Sequence, residues 1–133
     1  MARRSITVLV FGGRYENSAA VANWLAAHAL SEIQAKMGSV HIAKIIHGFA
    51  PGADTGGAMW ADGEGYACVG YRADWKRLGK AAGPVRNRRM VNEGMPDFAI
   101  GFPGGAGTKD MLSVLVDQGI PHYLVLASEL ATA

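Results

Sequence analysis

The chain has 133 residues, half of them hydrophobic and 18% charged, which suits one domain with a real core and argues against disorder. The single cysteine, Cys68, excludes an intrachain disulfide and a multi-cysteine zinc site, and no window nears the ~20 apolar residues of a membrane span. The formal net charge is only +2, yet residues 72–89 hold seven of the 13 Lys and Arg residues and one acid, Asp74. That block is either solvated surface or an anion-binding face.

Arg3-Arg4 precedes the apolar run Ile6–Phe11, but Gly12-Gly13 breaks the run too early for a secretory leader, so a cytoplasmic domain is expected. Ile6–Phe11 itself reads as a strand buried on both faces. Asn17 or Ser18 caps a helix to about Met37, with Val21, Leu25, Ala29, Ile33 and Met37 on one face and Gly38 at its end. Val40–Ile46 is a second strand, followed by His47-Gly48, and Asp54 caps a short helix to about Gly63. Tyr66–Val69 is a third, weaker strand, in which Cys68 is expected to be a small buried residue. Residues 70–82 form a polar, basic connection carrying Asp74 and Trp75.

Pro84 suits the first turn of a helix to about Glu93. Asp97–Phe102 is a fourth strand, and Gly107–Gln118 a helix with Met111, Leu112, Leu115 and Val116 facing inward. Gly119 and Pro121 end that helix before a last strand, His122–Leu126, after which the final few residues are expected to fray. This alternation predicts an α/β fold: a parallel sheet of about five strands with helices on both faces. Ligands of such sheets bind at the carboxyl ends of the strands, where strand order reverses. Gly12-Gly13, His47-Gly48 and Pro103–Gly107 all fall at such ends.

The most informative stretch is Phe102-Pro103-Gly104-Gly105-Ala106-Gly107-Thr108, a glycine-rich turn from a strand into a helix. Glycines allow close approach of the main chain, and first-turn amides attract anions, phosphate above all. The turn is not a P-loop, because Lys109 follows Thr108 instead of preceding it. Gly12-Gly13-Arg14 lacks the dinucleotide fingerprint, so NAD is not expected. Arg86, in Arg86-Asn87-Arg88-Arg89, offers a bidentate fork for phosphate, or else solvates a helix with its neighbours. Asn87 reads a base edge or ribose, or is an ordinary first-turn residue. His47 is a candidate general base or a structural hydrogen-bond partner, and Trp75 stacks on a base or plugs the sheet edge. The histidines and acids show no metal-ligand spacing, so neither a metal nor a cofactor is expected.

Taken in order, five motifs resemble the YspA-type, YpsA-related branch of the SLOG superfamily. They are Val10-Phe11-Gly12-Gly13-Arg14, His47-Gly48-x-Ala50-x-Gly52-Ala53-Asp54, Ala73-Asp74-Trp75, Ala82-Gly83-Pro84-x-Arg86-Asn87-x-x-Met90 and Phe102-Pro103-Gly104-Gly105-x-Gly107-Thr108. The resemblance spans nearly the whole chain and implies a Rossmann-like domain that binds nucleotides or nucleotide-derived ligands, often as a homo-oligomer. It also implies a ligand site formed by Gly12, Gly13, Arg14, His47, Gly48, Asp54, Arg86, Asn87, Pro103, Gly104, Gly105, Gly107 and Thr108. The branch is frequent in bacterial and phage genomes.

The superfamily also contains the LOG nucleoside 5′-monophosphate phosphoribohydrolases, whose signature is Arg-Lys-x-x-Met followed by Pro-Gly-Gly-x-Gly-Thr-x-x-Glu. Arg86 and Met90 match the first part, with Asn87 in the lysine's place. The second matches through Thr108, but Met111 stands where the glutamate would be, and Asp110 is one residue early, a turn of about 100° on a helix. N-glycoside cleavage needs a carboxylate near the ribose, so Asp110 or Asp54 is the candidate acid/base if this chain is a hydrolase. The DNA-binding DprA proteins of the same superfamily give a further alternative, nucleic-acid binding through residues 72–89. A small-molecule ligand is the leading expectation, because aromatic residues are not interleaved in that basic block.

Overall fold

The computed structural model describes residues 3–131. Five strands form one sheet in the order β3-β2-β1-β4-β5: β1 (Arg4–Phe11), β2 (Val40–His47), β3 (Ala67–Gly70), β4 (Phe98–Gly101) and β5 (His122–Leu124). Every neighbouring pair is parallel. The central strands are the apolar runs, as burial on both faces requires: Val8, Leu9 and Val10 of β1 and Phe98, Ala99 and Ile100 of β4 are fully buried.

The chain winds outward from β1 through β2 to β3, then returns to place β4 on the opposite side of β1. One face of the sheet is covered by α1 (Ser18–Trp24), α2 (Leu30–Met37) and α3 (Ala53–Glu64), whose Val21, Trp24, Ile33 and Trp60 join Ile6, Val8, Val10 and Ile45 in one core. The other face is covered by α5 (Ala82–Gly94) and α6 (Ala106–Asp117), where Met90, Val91, Met111, Val114 and Leu115 pack on Leu9, Phe11, Ile46 and Ala99. This is the Rossmann-like α/β arrangement, with a crevice at the carboxyl ends of β1 and β4, where the winding direction changes.

Asn17 caps α1 by accepting the Ala20 amide. Helix continues into α2 through a π-helical turn, Leu25–Ala29, keeping Val21, Leu25, Ala29 and Ile33 all buried. Spacing of four residues drifts by about 40° per step on a 3.6-residue helix, and the wider turn takes up that drift.

Several local expectations are corrected. Cys68 is exposed, because β3 is an edge strand whose residues 67–69 are open to solvent. Val116 is 61% exposed and Val114 takes the inward position on α6. Asp54 does not cap α3: Gly52 holds the N-cap position and Asp54 lies inside the first turn. The 70–82 connection contains a short helix, α4 (Trp75–Leu78), capped by Asp74, and a 3-10 turn at Gly79–Ala81. The last strand stops at Leu124, and α7 (Ala127–Ala131) follows where fraying was expected; residues 132 and 133 lie outside the described residues. No described helix is long and apolar enough to cross a membrane.

Candidate functional site

Three loops that leave the carboxyl ends of β1, β2 and β4 interlock. The Gly13 amide donates to the Pro103 carbonyl at 2.9 Å, and the Gly13 carbonyl accepts from Ala53 at 3.1 Å. Ser18 Oγ donates to the Gly52 carbonyl at 2.9 Å. A Cβ on Gly13 would lie 2.5 Å from the Pro103 oxygen, and one on Gly52 would strike the Gly13 oxygen. These glycines therefore have a structural reason beside any ligand: the loops touch main chain to main chain.

Above the interlocked loops lies a cavity of about 670 Å³, within the range of small-molecule sites. Gly12, Gly13 and Arg14 line it from the loop after β1, and Gly48 and Asp54 from the segment after β2. Arg86 and Asn87 line it from α5. Pro103, Gly104, Gly105, Gly107 and Thr108 form its wall after β4. The fold thus brings together residues separated by up to about a hundred positions in the chain.

At the start of α6, Gly105 occupies the N-cap position and supplies no side chain. Lys109 is the first amide of this helix to find a backbone acceptor, the Gly105 carbonyl at 3.0 Å. The amides of Ala106, Gly107 and Thr108 have no acceptor among the described residues. Unpaired first-turn donors and the helix dipole favour an anion there.

Arg86 is half-buried beside this turn. Its Nη1 donates to the Gly48 carbonyl, and its Nε donates to Asn87 Oδ1 at 3.1 Å. Asn87 is buried, and its Nδ2 donates to the Gly107 carbonyl at 3.3 Å and to Asp110 Oδ2 at 3.0 Å. Asn87 therefore spends its donors on α6, and its Oδ1 accepts from Arg86, tying the guanidinium to both helices.

Asp54 is 5% exposed, and its Oδ2 accepts from the amides of Gly48 at 2.8 Å and Ala50 at 3.2 Å. Burial pushes its carboxyl up to about 6, against the lowering effect of those two amides and of Arg86 nearby. Burial likewise draws the Arg86 guanidinium down, opposed by Asp54. The carboxylate thus orders the loop after β2 and partly balances the cation.

Two expected site residues stand apart from the cavity wall. His47 is buried at the end of β2; its Nδ1 accepts the Phe49 amide at 3.1 Å and its ring meets Phe49 edge-on at 5.0 Å. Burial and then the Arg86 charge lower its pKa, which favours the neutral ring whose Nδ1 accepts that amide. Asp110 points between helices, where Arg88 Nη1 approaches its Oδ2 at 3.2 Å beside the Asn87 bond. The helical step anticipated between positions 110 and 111 is realised: Met111 lines the cavity and Asp110 does not.

The cavity wall also includes residues that sequence reasoning passed over, notably Phe49, Tyr15 and Glu16, and Arg72, which it counted only within the basic block. Phe49 has a φ of 61°, which nothing in its sequence neighbourhood announces. Trp75, left open between stacking and plugging, lines the cavity and is 57% exposed. The basic block is divided: Arg77, Arg88 and Arg89 pair with Asp74, Asp110 and Glu93, while Arg72 and Arg86 turn to the cavity.

Residues 6–78, more than half of the chain, match the family described as YAcAr: YspA, cpYpsA-related SLOG family. A relative, the Gene 61 protein of Mycobacterium phage D29, is 39% identical over 84 residues, which cover 58% of this chain and 66% of the phage protein. The match therefore spans just under two thirds of that relative's length.

Proposed function

This chain belongs to the YspA, cpYpsA-related SLOG family, and we propose that it binds a nucleotide or nucleotide-derived small molecule in the cleft above β1 and β4. The ligand's phosphate rests on the amides of Ala106, Gly107 and Thr108 and meets the guanidinium of Arg86. Gly12, Gly13 and Gly48 lie under the sugar, where the absence of side chains permits close approach. The observation that carries this reading is the juxtaposition of three unpaired first-turn amides and a half-buried arginine on one cavity wall.

Binding without turnover is the form of this reading that the carboxylates support. Met111 replaces the glutamate of the LOG signature, Asp110 is engaged between helices, and Asp54 is held by two loop amides. A sensor or sequestering module needs none of them free. DprA-like nucleic-acid binding is disfavoured by the neutralisation of Arg77, Arg88 and Arg89 at carboxylates.

Calorimetric titration with nucleoside monophosphates, cyclic nucleotides and ADP-ribose tests the reading, with chromatography of the recovered ligand. Saturable binding, weakened in Arg86→Ala, with the ligand recovered intact, is the expected result. Release of free base would replace the sensor with a hydrolase. Affinity unchanged by Arg86→Ala would show that the phosphate lies elsewhere.

A further inference from the structure

We propose that Trp75 and Arg72 form a stacking subsite for the planar base of the ligand, at the β3 end of the cleft. The choice of ligand rests on the nucleotide reading above, but the residues are different ones. Strand order sets the distance: β3 and β4 are separated by three strand spacings, roughly 14 Å. The glycine-rich turn follows β4, and Arg72 and Trp75 follow β3, so one cleft has an anion site at one end and a flat cationic and aromatic surface at the other. A nucleoside 5′-phosphate is of that order of length.

The local geometry at the β3 end is built, not incidental. The chain's other two tryptophans, Trp24 and Trp60, are buried, whereas Trp75 leaves more than half of its surface open. A plug for the sheet edge would be covered. The indole lies against α5 at Gly83, where a Cβ would come 3.2 Å from Cη2. Asp74 pins the short helix that carries it, accepting from the Arg77 amide at 3.2 Å and from Arg77 Nε at 3.1 Å.

Arg72 pairs with no carboxylate among the described residues; its guanidinium lies 4.2 Å from the centre of the Phe49 ring. Phe49 is itself over-determined. A bulky residue at φ 61° is strained and persists only where its surroundings hold it. Its amide is bound by His47 Nδ1, its ring abuts the imidazole, and it occupies the space that a side chain on Gly70 would fill. His47 thus supports Phe49 edge-on, and Phe49 holds the Arg72 guanidinium at the cavity wall. Guanidinium groups and indole faces are both surfaces on which bases stack, with little regard to base identity.

The experiment compares AMP, GMP, CMP, UMP, adenosine and ribose 5-phosphate on the wild type, Trp75→Ala, Trp75→Phe and Arg86→Ala, by calorimetry and by tryptophan fluorescence. Nucleoside monophosphates are expected to bind more tightly than ribose 5-phosphate and to quench a signal that Trp75→Phe removes. Trp75→Ala is expected to weaken the monophosphates by roughly 5- to 150-fold and leave ribose 5-phosphate unchanged, as loss of one stacking contact implies. Equal effects of Trp75→Ala on both ligands, or none, overturn the subsite, while a loss of both in Arg86→Ala leaves the phosphate reading standing. Adenosine binding that depends on Trp75 but gains nothing from a phosphate keeps the subsite and overturns the phosphate reading. No binding by any of the six overturns both.

Discussion

Gly48 and Arg86 share one space: the guanidinium donates to the Gly48 carbonyl and lies where a side chain at position 48 would be, with Nη1 2.6 Å from the place of a Cβ. The glycine at the end of β2 is therefore a seat for a cation on α5, a helix about forty residues further along the chain.

Gly48→Ala is expected to unseat Arg86 without unfolding the protein, because the obstructed neighbour is the end of a flexible side chain and not backbone. Loss of one hydrogen bond from a charged donor to the phosphate corresponds to about 1.5–3 kcal/mol, or roughly 10- to 150-fold in affinity. Titration with AMP beside a thermal melt checks it; an unchanged affinity shows that the guanidinium does not need this seat.

Asp54 makes stability depend on pH in an unusual direction. Its folded-state pKa, about 6, lies above the ordinary 3.8, so the folded protein binds the extra proton between those values. Its contribution to stability is then greatest in acid and declines as pH rises through about 4 to 6. A rise from 3.8 to about 6 corresponds to about 3 kcal/mol. Asp54→Asn, whose amide oxygen still accepts from Gly48 and Ala50, is expected to be more stable than the wild type at pH 8 and little different at pH 4. Urea melts across this range decide it, and a difference independent of pH removes the claim.

Two glycines are expected to respond in opposite ways. Gly52 has a φ of 78° and faces the Gly13 carbonyl, so Gly52→Ala forces main chain from main chain and destabilises by about 1–3 kcal/mol. Gly107 has open space around its missing Cβ, and alanine there is expected to stabilise α6 by about 0.5–1 kcal/mol. A helical Cβ leans toward the helix N-terminus, however, which is where the phosphate would sit. Gly107→Ala is thus expected to raise the melting temperature and lower phosphate affinity together; unchanged affinity places the anion away from the turn.

Asn87→Ala is expected to cost about 1–3 kcal/mol, since it removes the link from α5 to Gly107 and Asp110 and frees Arg86 Nε. Ligand affinity is expected to fall with it, although Asn87 makes no ligand contact in this reading. Asn87→Ala and Arg86→Ala should then be non-additive in a double-mutant cycle; additive losses show that Asn87 does not act through Arg86.

The sequence by itself determined the parts whose signals are local. The apolar runs at Ile6–Phe11, Val40–Ile46 and Asp97–Phe102 mark β1, β2 and β4 because strands buried on both faces admit few other residues. The alternation with helices made the sheet parallel, and glycines after three strands marked the edge where the cavity lies, since parallel strands all end on the same side. Only the tertiary structure decided what depends on neighbours far along the chain. Strand order put β4 beside β1 and left β3 at the edge, which exposed Cys68 and set the distance from Trp75 to the glycine-rich turn. Helix packing turned Asp110 onto Asn87 and Arg88 and left Met111 at the wall. The strained Phe49, and Arg72 above it, arise from His47 and Gly70 on two different strands. Periodicity encodes which face of an element is buried, but not which other element buries it; that choice is made by long-range packing, and here it built the cleft.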